Sequence, residues 1–292
     1  MTLNPKFGQK VLDPFCGTGG FLIEAFKNIK TGIEDNDKKT MKILREESLF
    51  GIELTDTYKI AKMNMIITGD GHNNIIRDDT AKNQYWENED LTKVIKKLNI
   101  KGFDIIISNI PYGMTTDYGY LYPIPSNQGD SIFVQNIILA LNKDGVAAII
   151  VPEGLLFKKE HEKLRKYLLM TNKLESVISL PSGVFFPYTN VKTNILIFKK
   201  GTPTKKVWFY NLENDGYELN TNRRKSQFND IPDLLEKWVE KPISKKSFWI
   251  DMEQIKTNNF SLNLNSYRKI EDKNSIKSEM KNIGELCEEI KS

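Results

Sequence analysis

The sequence predicts an α/β fold with a mostly parallel sheet that is covered by helices on both faces. Strand-like apolar runs alternate with longer amphipathic stretches over the first two-thirds of the chain. Two of the runs, Phe103–Asn109 and Gly145–Val151, are largely apolar and show no helical period. Such runs are typical of parallel strands that are buried on both faces. A glycine-rich turn joins the first predicted strand to the first predicted helix, which is the pattern of ligand-binding α/β proteins.

The predicted strands are short runs that lack a helical period. In chain order they are Lys10–Phe15, Leu49–Glu53, Ile75–Asp78, Phe103–Asn109, Gly145–Val151, Leu174–Leu180, Lys192–Phe198 and Lys206–Asn211. The predicted helices place their apolar residues at helical spacing. They are Gly20–Ile29, Asp56–Ile67, Ser131–Leu141, Glu160–Met170 and Ile231–Val239. The remaining stretches are polar, and we interpret Thr31–Lys39 and Asn73–Asn88 as insertions or loops and assign no element to Glu213–Asn229.

Composition limits the classes of partner. The chain has 292 residues and a net charge of +4. This charge is compatible with nucleic acid but lower than that of a dedicated DNA-wrapping domain. If DNA is the partner, much of the positive charge would come from another subunit.

The cysteines and the apolar runs indicate a cytoplasmic protein. Cys16 and Cys287 lie almost a full chain apart, and there are two histidines. This pattern supports neither a cysteine zinc site nor a disulfide framework, so we predict no metal. No apolar run has membrane-spanning length, and residues 1–10 lack a secretory signal, so we expect no membrane contact.

The first candidate site is the glycine turn that follows the first strand. It contains Asp13, Pro14, Cys16, Gly17, Thr18, Gly19 and Gly20. Glycines allow close approach of a ligand to the backbone. The Lys of a phosphate-binding loop is missing, and an acid, Asp13, stands at the strand tip instead. An acid repels phosphate but suits an ammonium group, such as that of S-adenosylmethionine (AdoMet). A plain glycine-rich turn would explain the glycines alone.

Two further acids follow the second and third strands. Glu53 ends the second strand, where a carboxylate accepts hydrogen bonds from ribose hydroxyls in dinucleotide-binding enzymes. Asp79 follows the third strand and is a candidate acceptor for the adenine amino group of the same cofactor. A surface acid at position 53 and a loop acid at position 79 are the alternatives.

The third candidate site is the turn at the end of the strand Phe103–Asn109. It reads Asn109, Ile110, Pro111, Tyr112. The Asn109 side-chain oxygen and the Ile110 main-chain carbonyl are two acceptors that suit the two N–H bonds of an adenine amino group. They would favour positive charge on that nitrogen as it attacks a methyl group. Tyr112 offers a flat face to a base that has swung out of the duplex.

Together these motifs resemble those of the N6-adenine DNA methyltransferases. The segments that carry the resemblance are Asp13–Gly20 and the Asn-x-Pro-Tyr turn. The stretch from Gly129 to Lys200, above all Leu180–Phe198, is similar to the modification subunits of type I restriction–modification systems. The resemblance covers roughly residues 10–200, and residues 201–270 more loosely.

The resemblance implies a class I AdoMet-dependent methyltransferase fold, which is Rossmann-like. It implies site-specific transfer of a methyl group from AdoMet to a flipped adenine in double-stranded DNA. It also implies two partners, the specificity and restriction subunits of the same system. By the same resemblance, Phe185 and Phe186 lie where such enzymes place an aromatic residue that contacts the flipped base. Packing into the core would explain either phenylalanine equally well.

The chain departs from the family pattern at two points. The family usually has Pro where this chain has Ile110, so we expect a looser turn. It also usually has a helical N-terminal domain, whereas this chain begins almost at the first motif, so we expect weaker AdoMet binding. We therefore assign residues 1–200 to the catalytic domain and residues 201–270 to a C-terminal extension of it. Residues 271–292 are assigned to a charged helix or tail, with the start of a specificity domain as the alternative.

Two alternatives stay open at the level of sequence. The Asn-x-Pro-Tyr turn would also suit an RNA adenine or a glutamine side chain of a protein. A truncated remnant that docks partner subunits without catalysis is the second alternative.

Overall fold

The structure is a computed structural model that describes residues 3–34, 36–69, 74–82 and 89–268. The strands within these ranges are β1 (Val11–Asp13), β2 (Leu49–Glu53), β3 (Ile75–Arg77), β4 (Phe103–Asn109), β5 (Leu141–Pro152), β6 (Asn172–Ser179), β7 (Thr193–Lys200), β8 (Lys206–Asn211), β9 (Asp215–Tyr217), β10 (Lys225–Asn229) and β11 (Ser247–Asp251). The helices are α1 (Gly20–Lys30), α2 (Lys38–Glu47), α3 (Thr57–Thr68), α4 (Glu89–Leu98), α5 (Gly129–Ala140), α6 (Glu153–Phe157), α7 (Glu162–Thr171), α8 (Ile231–Lys237) and α9 (Met252–Thr257).

Nine of these strands form one mixed sheet. Its order is β11-β8-β6-β7-β5-β4-β1-β2-β3. Strands β1 to β5 run parallel, β7 is antiparallel to both of its neighbours, and β8 runs parallel to β6. The predicted mostly parallel α/β fold is therefore confirmed. The remaining two strands, β9 and β10, form a separate hairpin.

The core lies on both faces of the sheet because alternate strand residues point in opposite directions. On β1 and β4, Leu12 and Ile106 belong to the larger apolar cluster, which also includes buried residues of α5 and α7. Val11 and Ile105, next to them in sequence, belong to a second cluster with buried residues of α1 to α3. Burial on both faces explains why the sequence of β4 shows no alternation between apolar and polar residues.

The strand order changes direction beside β1. From β1 the chain proceeds to β2 and β3 on one side, and then returns to place β4 and β5 on the other side. The carboxyl ends of the two strands next to this switch point form a crevice in open α/β sheets. Here those ends carry Asp13 on β1 and Asn109 on β4.

Most predicted elements are present, with shifted ends. The bounds of β2, β4 and β8 match the prediction. The predicted loop over Thr31–Lys39 ends earlier than expected because α2 begins at Lys38, where Asp37 caps it by accepting from the Thr40 N–H at 2.9 Å. The polar stretch 213–229 contains the β9–β10 hairpin. The predicted tail 271–292, including Cys287, lies outside the described residues.

Candidate functional site

A cleft of about 630 Å³ opens at the switch point of the sheet. Seven residues that the sequence singled out line it: Pro14, Glu53, Asp79, Asn109, Ile110, Pro111 and Tyr112. The turn after β1, the tip of β2 and the turn after β4 therefore face one another across a single space. Six other predicted residues are not among those that line the cleft: Asp13, Cys16, Gly17, Thr18, Gly19 and Gly20.

The cleft is acidic. Its walls include the side chains of Glu53, Asp78, Asp79 and Asp117, and none of its described lining residues is Lys, Arg or His. Carboxylates concentrated in a crevice create a negative potential that attracts cations and repels phosphate. The charge of the cleft therefore suits a cationic ligand.

Asp13 lies at the tip of β1 and is buried, with 1% of its surface exposed. Its Oδ1 accepts hydrogen bonds from the Ser108 hydroxyl at 2.6 Å and from the Phe15 N–H at 3.1 Å. Burial raises the pKa of this carboxyl group from 3.8 to about 7, and the two hydrogen bonds oppose that rise. Asp13 thus joins β1 to β4 and fixes the start of the glycine turn.

The glycine turn needs backbone conformations that other residues rarely adopt. Gly17 and Gly19 have φ angles of +52° and +85°, and Gly19 lies against Ala61 of α3. The Gly17 N–H donates to Oε2 of Glu53 at 3.2 Å, so the tip of β2 holds the turn. The Cys16 side chain is buried in the core.

The acidic loop after β3 is fixed by a buried polar network that sequence reasoning missed. The Tyr122 hydroxyl donates to the Ala81 carbonyl at 2.9 Å, and the Asn136 amide donates to the Thr80 carbonyl at 3.0 Å. The Thr80 hydroxyl in turn donates to the Pro14 carbonyl at 2.6 Å. This network ties the loop that carries Asp79 to the glycine turn.

All four residues of the turn after β4 line the cleft, and the Ile110 side chain belongs to the apolar core. The Tyr112 hydroxyl donates a hydrogen bond to Oδ1 of Asn109 in this structure. Burial raises the pKa of Tyr112 to about 12. Ile110 has 1% of its surface exposed, and its N–H donates to the Ile150 carbonyl of β5 at 3.3 Å. A proline at this position has no N–H to donate.

Two aromatic rings between these turns were also missed at the level of sequence. Phe15 and Phe133 both line the cleft, and their ring centroids are 4.7 Å apart at an angle of 58°. Phe15 stands inside the glycine motif and Phe133 on the first turns of α5. The available signal was the aromatic residue within the motif itself, but only the fold brings Phe133 beside it.

Comparison with known proteins agrees with this geometry. The profile of the N-6 DNA methylase family matches residues 1–275 of the chain. The chain belongs to the N-6 DNA methylase family.

Methylase subunits of type I restriction enzymes are among the relatives of this chain. The chain is 30% identical over 278 residues to the type I restriction enzyme EcoEI methylase subunit of Escherichia coli, which covers 90% of this chain and 54% of the relative. It is 29% identical over 283 residues to the MpnII methylase subunit of Mycoplasma pneumoniae, with 88% and 48% covered. The chain spans about half the length of these curated relatives.

A solved structure shows the same fold. A modification subunit of a putative type I restriction enzyme from Vibrio vulnificus superposes with a TM-score of 0.74 at 24% identity. The match covers 87% of this chain and 53% of that one. This match confirms the predicted class I methyltransferase fold, and the curated relatives confirm the resemblance to type I modification subunits.

Two predicted residues of this N-6 DNA methylase stand apart from the cleft wall. Phe185 packs partly against the cluster around Trp208, and the Phe186 ring covers Gly183 so closely that a Cβ atom there would lie 2.8 Å from it. Neither ring is among the residues that line the cleft. Contact of either ring with a flipped base therefore stays a prediction.

A second cavity of similar volume lies between α1 and the strands β4, β5 and β7. Its floor is formed by apolar residues of the strands, among them Ile107, Ile150 and Ile195. It contains none of the residues that the sequence motifs singled out, so the acidic cleft is the better candidate site. In the described ranges there is no cluster of three or more potential metal ligands, and no helix there is long and apolar enough to cross a membrane.

Proposed function

We propose that this chain is the catalytic part of an AdoMet-dependent DNA adenine-N6 methyltransferase, the modification subunit of a type I restriction–modification system. The observation that carries the proposal is the shared cleft, where acidic strand tips face the Asn109–Tyr112 turn across one space. A methyl donor and a methyl acceptor must meet within such a space. The type I methylase subunits among the relatives support the same assignment.

The residues on the β1 and β2 side fit AdoMet. The acidic walls match the net positive charge of this cofactor, and the absence of basic groups among the described lining residues disfavours a nucleotide phosphate. Oε1 of Glu53 accepts from the N–H and the hydroxyl of Thr55. Oε2 accepts from the Gly17 N–H and can accept a second hydrogen bond from a ribose hydroxyl. Phe15 and Phe133 offer apolar faces to an adenine ring.

Asp79 is our candidate for the cofactor's adenine amino group, and the backbone of the glycine turn for its amino acid part. Asp79 already accepts from the Ala81 N–H through Oδ1 at 3.0 Å, which fixes the direction of its carboxylate. When bound, AdoMet would supply a methyl group attached to positively charged sulfur. The protein then has to align the acceptor nitrogen with that carbon.

The residues on the β4 side fit the amino group of adenine. The Asn109 Oδ1 atom and the Ile110 carbonyl are acceptors at the edge of the cleft. Both would stabilise the positive charge that develops on nitrogen as the new bond forms. The Tyr112 hydroxyl takes one of the two acceptor positions of Asn109 Oδ1 in this structure, so the second can accept an N–H of adenine. The Tyr112 ring is available for stacking on the base.

The charge of the cleft also bears on partners. An acidic cleft does not hold the DNA backbone, so phosphate contacts must come from basic surfaces elsewhere in an assembly. We assign this role to the specificity subunit, with the restriction subunit as the further partner of the same system.

The decisive experiment replaces Asn109 with alanine. We expect Asn109→Ala to abolish methyl transfer while AdoMet affinity, measured by calorimetry, stays close to that of the wild type. Methyl transfer is measured with labelled AdoMet on DNA free of N6-methyladenine, using the full-length protein together with the subunits that co-purify with it. Asn265→Ala removes an exposed asparagine far along the chain and is the matched control.

The alternatives give different results in the same assay. Label that appears in RNA or in protein, and not in DNA, would show that RNA or protein is the substrate. A wild-type protein that fails to bind AdoMet would indicate a docking remnant. Full transfer by Asn109→Ala would contradict the role of its side-chain oxygen.

A further inference from the structure

The segment between the Asn109–Tyr112 turn and α5 forms one wall of the cleft. Five successive residues, Met114 to Tyr118, line the cleft on this side. Since only Gly113 separates this wall from Tyr112, a movement of the wall displaces the residues that face the proposed adenine. What fastens this wall therefore matters for the proposed reaction.

Backbone hydrogen bonds fasten the wall to the residues just before α5. The Gly129 N–H donates to the Met114 carbonyl at 2.7 Å, and the Thr116 N–H donates to the Asn127 carbonyl at 3.0 Å. Thr115 and Gln128 form an antiparallel bridge between these two bonds. The contact is tight, because a Cβ atom on Gly129 would lie 2.8 Å from the Met114 carbonyl oxygen.

One side chain extends this fastening to the turn itself. Oδ1 of Asp130, in the first turn of α5, accepts from the Gly113 N–H at 3.1 Å. Gly113 follows Tyr112 directly and has a φ angle of +65°, a backbone conformation that residues other than glycine rarely adopt. Asp130 is half-buried, and the charged groups that act on it from the segment after α6 are Lys158 and Glu160. The carboxylate therefore joins the rigid helix α5 to the turn of the site.

We propose that Asp130 is a positioning residue, which holds the Asn109–Tyr112 turn in the orientation needed for methyl transfer. This inference rests on the proposed function. Asp130 is not itself among the residues that line the cleft, so it acts through the Gly113 N–H. Loss of that hydrogen bond frees the peptide after Tyr112 while leaving the AdoMet side of the cleft unchanged. The consequence is a lower transfer rate with unchanged cofactor affinity.

The experiment compares two substitutions at the same position. Asp130→Ala removes the acceptor, whereas Asp130→Asn keeps an acceptor oxygen of the same reach and removes only the charge. We expect Asp130→Ala to lower kcat for DNA methylation about 10- to 100-fold, the effect of misplacing a reacting group by around an ångström. Asp130→Asn should restore most of that rate. Glu236→Ala, an exposed acid on α8, is the matched control.

A second readout separates positioning from a general loss of structure. Hydrogen exchange at the Gly113 amide should become faster in Asp130→Ala than in Asp130→Asn and the wild type, while the Kd for AdoMet stays within about twofold in all three. Wild-type transfer or wild-type Gly113 exchange in Asp130→Ala would overturn the inference, and so would an equal loss in Asp130→Asn. A wild-type protein that methylates no DNA overturns the proposed function instead, and the exchange comparison then still decides whether Asp130 holds the turn.

Discussion

At the scale of single residues, Asp13 shows how a buried acid can serve the architecture of a binding site. The Ser108 hydroxyl and the Phe15 N–H donate to one of its oxygens, yet burial outweighs them and raises the pKa to about 7. The folded protein therefore keeps this carboxyl group protonated at pH values where the unfolded chain ionises it.

This pKa predicts a specific dependence of stability on pH. Between 3.8 and about 7 the folded state binds a proton that the unfolded state has released, so this group's contribution to stability falls as pH rises. The contribution is complete below 3.8 and is lost as pH passes about 7. Asp13→Asn keeps an acceptor for Ser108 but cannot ionise. We expect the stability of this variant relative to the wild type to increase from pH 4 to pH 7.

The measurement is the free energy of unfolding in urea, without cofactor, at several pH values. Asp37→Asn is a useful comparison because Asp37 is an exposed cap whose pKa is lowered by its hydrogen bonds to Thr40, so its effect has the opposite sign and falls at pH values near and below 3.8. Parallel pH profiles for the wild type and Asp13→Asn would contradict the buried state of Asp13.

The residue Ile110 shows where a family pattern misleads as a guide to geometry. The absence of the usual proline predicts a looser turn. The structure places the Ile110 side chain in the core and its N–H on the Ile150 carbonyl, so the position has two contacts that a proline would not make in the same way. The acceptor that the proposed chemistry uses is a main-chain carbonyl, which either residue supplies.

At the scale of elements, the sequence predicts best where a pattern is purely local. Strand β4 and strand β2 were predicted with the observed bounds, because buried apolar runs end at polar residues. Helix α2 was missed because only Met41 and Leu44 are buried in an otherwise polar stretch. The β9–β10 hairpin was missed because its residues are polar, and their pairing depends on tertiary contacts.

The same reasoning applies to the site. Asn109, Glu53 and Asp79 stand at strand tips, which short motifs reveal. Tyr122, Asn136 and Phe133 support or line the cleft from positions far along the chain, so only the three-dimensional fold brings them there. Sequence therefore predicts the residues that face the cleft more readily than those that hold them in place.

Helix α7 contributes a buried arginine that connects three elements. Arg165 has 1% of its surface exposed, and its guanidinium donates to main-chain carbonyls only. The acceptors are the carbonyls of Leu155 at 3.0 Å, Lys158 at 2.8 Å and Phe260 at 2.8 Å, with longer contacts to Phe157 and Asn259. It thereby joins α6 and α7 to the segment after α9.

Replacing this arginine should destabilise the fold without altering the cleft. Arg165→Met keeps the aliphatic length but leaves several buried carbonyls without a donor, at about 1–3 kcal/mol each. We expect a loss on the order of 3 kcal/mol in the free energy of unfolding, and AdoMet affinity close to the wild type in the protein that remains folded. Lys163→Met, an exposed residue of the same helix, is the control. Equal unfolding curves for Arg165→Met and the wild type would show that the carbonyls are satisfied in another way.

At the scale of the whole molecule, one sheet joins the two parts that the sequence distinguishes. The alternation of strand-like and amphipathic stretches ends near residue 200. Even so, β8 pairs in parallel with β6, and β11 pairs with β8. The buried rings of Trp208 and Tyr210 pack with Ile178 and Ile197 in one apolar cluster. We propose that residues 201–270 extend the domain formed by residues 1–200 rather than fold separately from it.

This proposal predicts a single unfolding transition across the boundary at residue 200. Of the four tryptophans, Trp208, Trp238 and Trp249 lie beyond it, and the fourth is Trp86. In Trp86→Phe, fluorescence therefore reports on the extension alone, whereas far-UV circular dichroism reports on both parts. Because the extension shares a strand ladder and an apolar cluster with β6 and β7, we expect the two urea curves to coincide.

Saturating AdoMet should shift both curves equally, since its proposed cleft lies wholly within residues 1–200. A fluorescence transition at lower urea, unaffected by AdoMet, would instead place a domain boundary near residue 200.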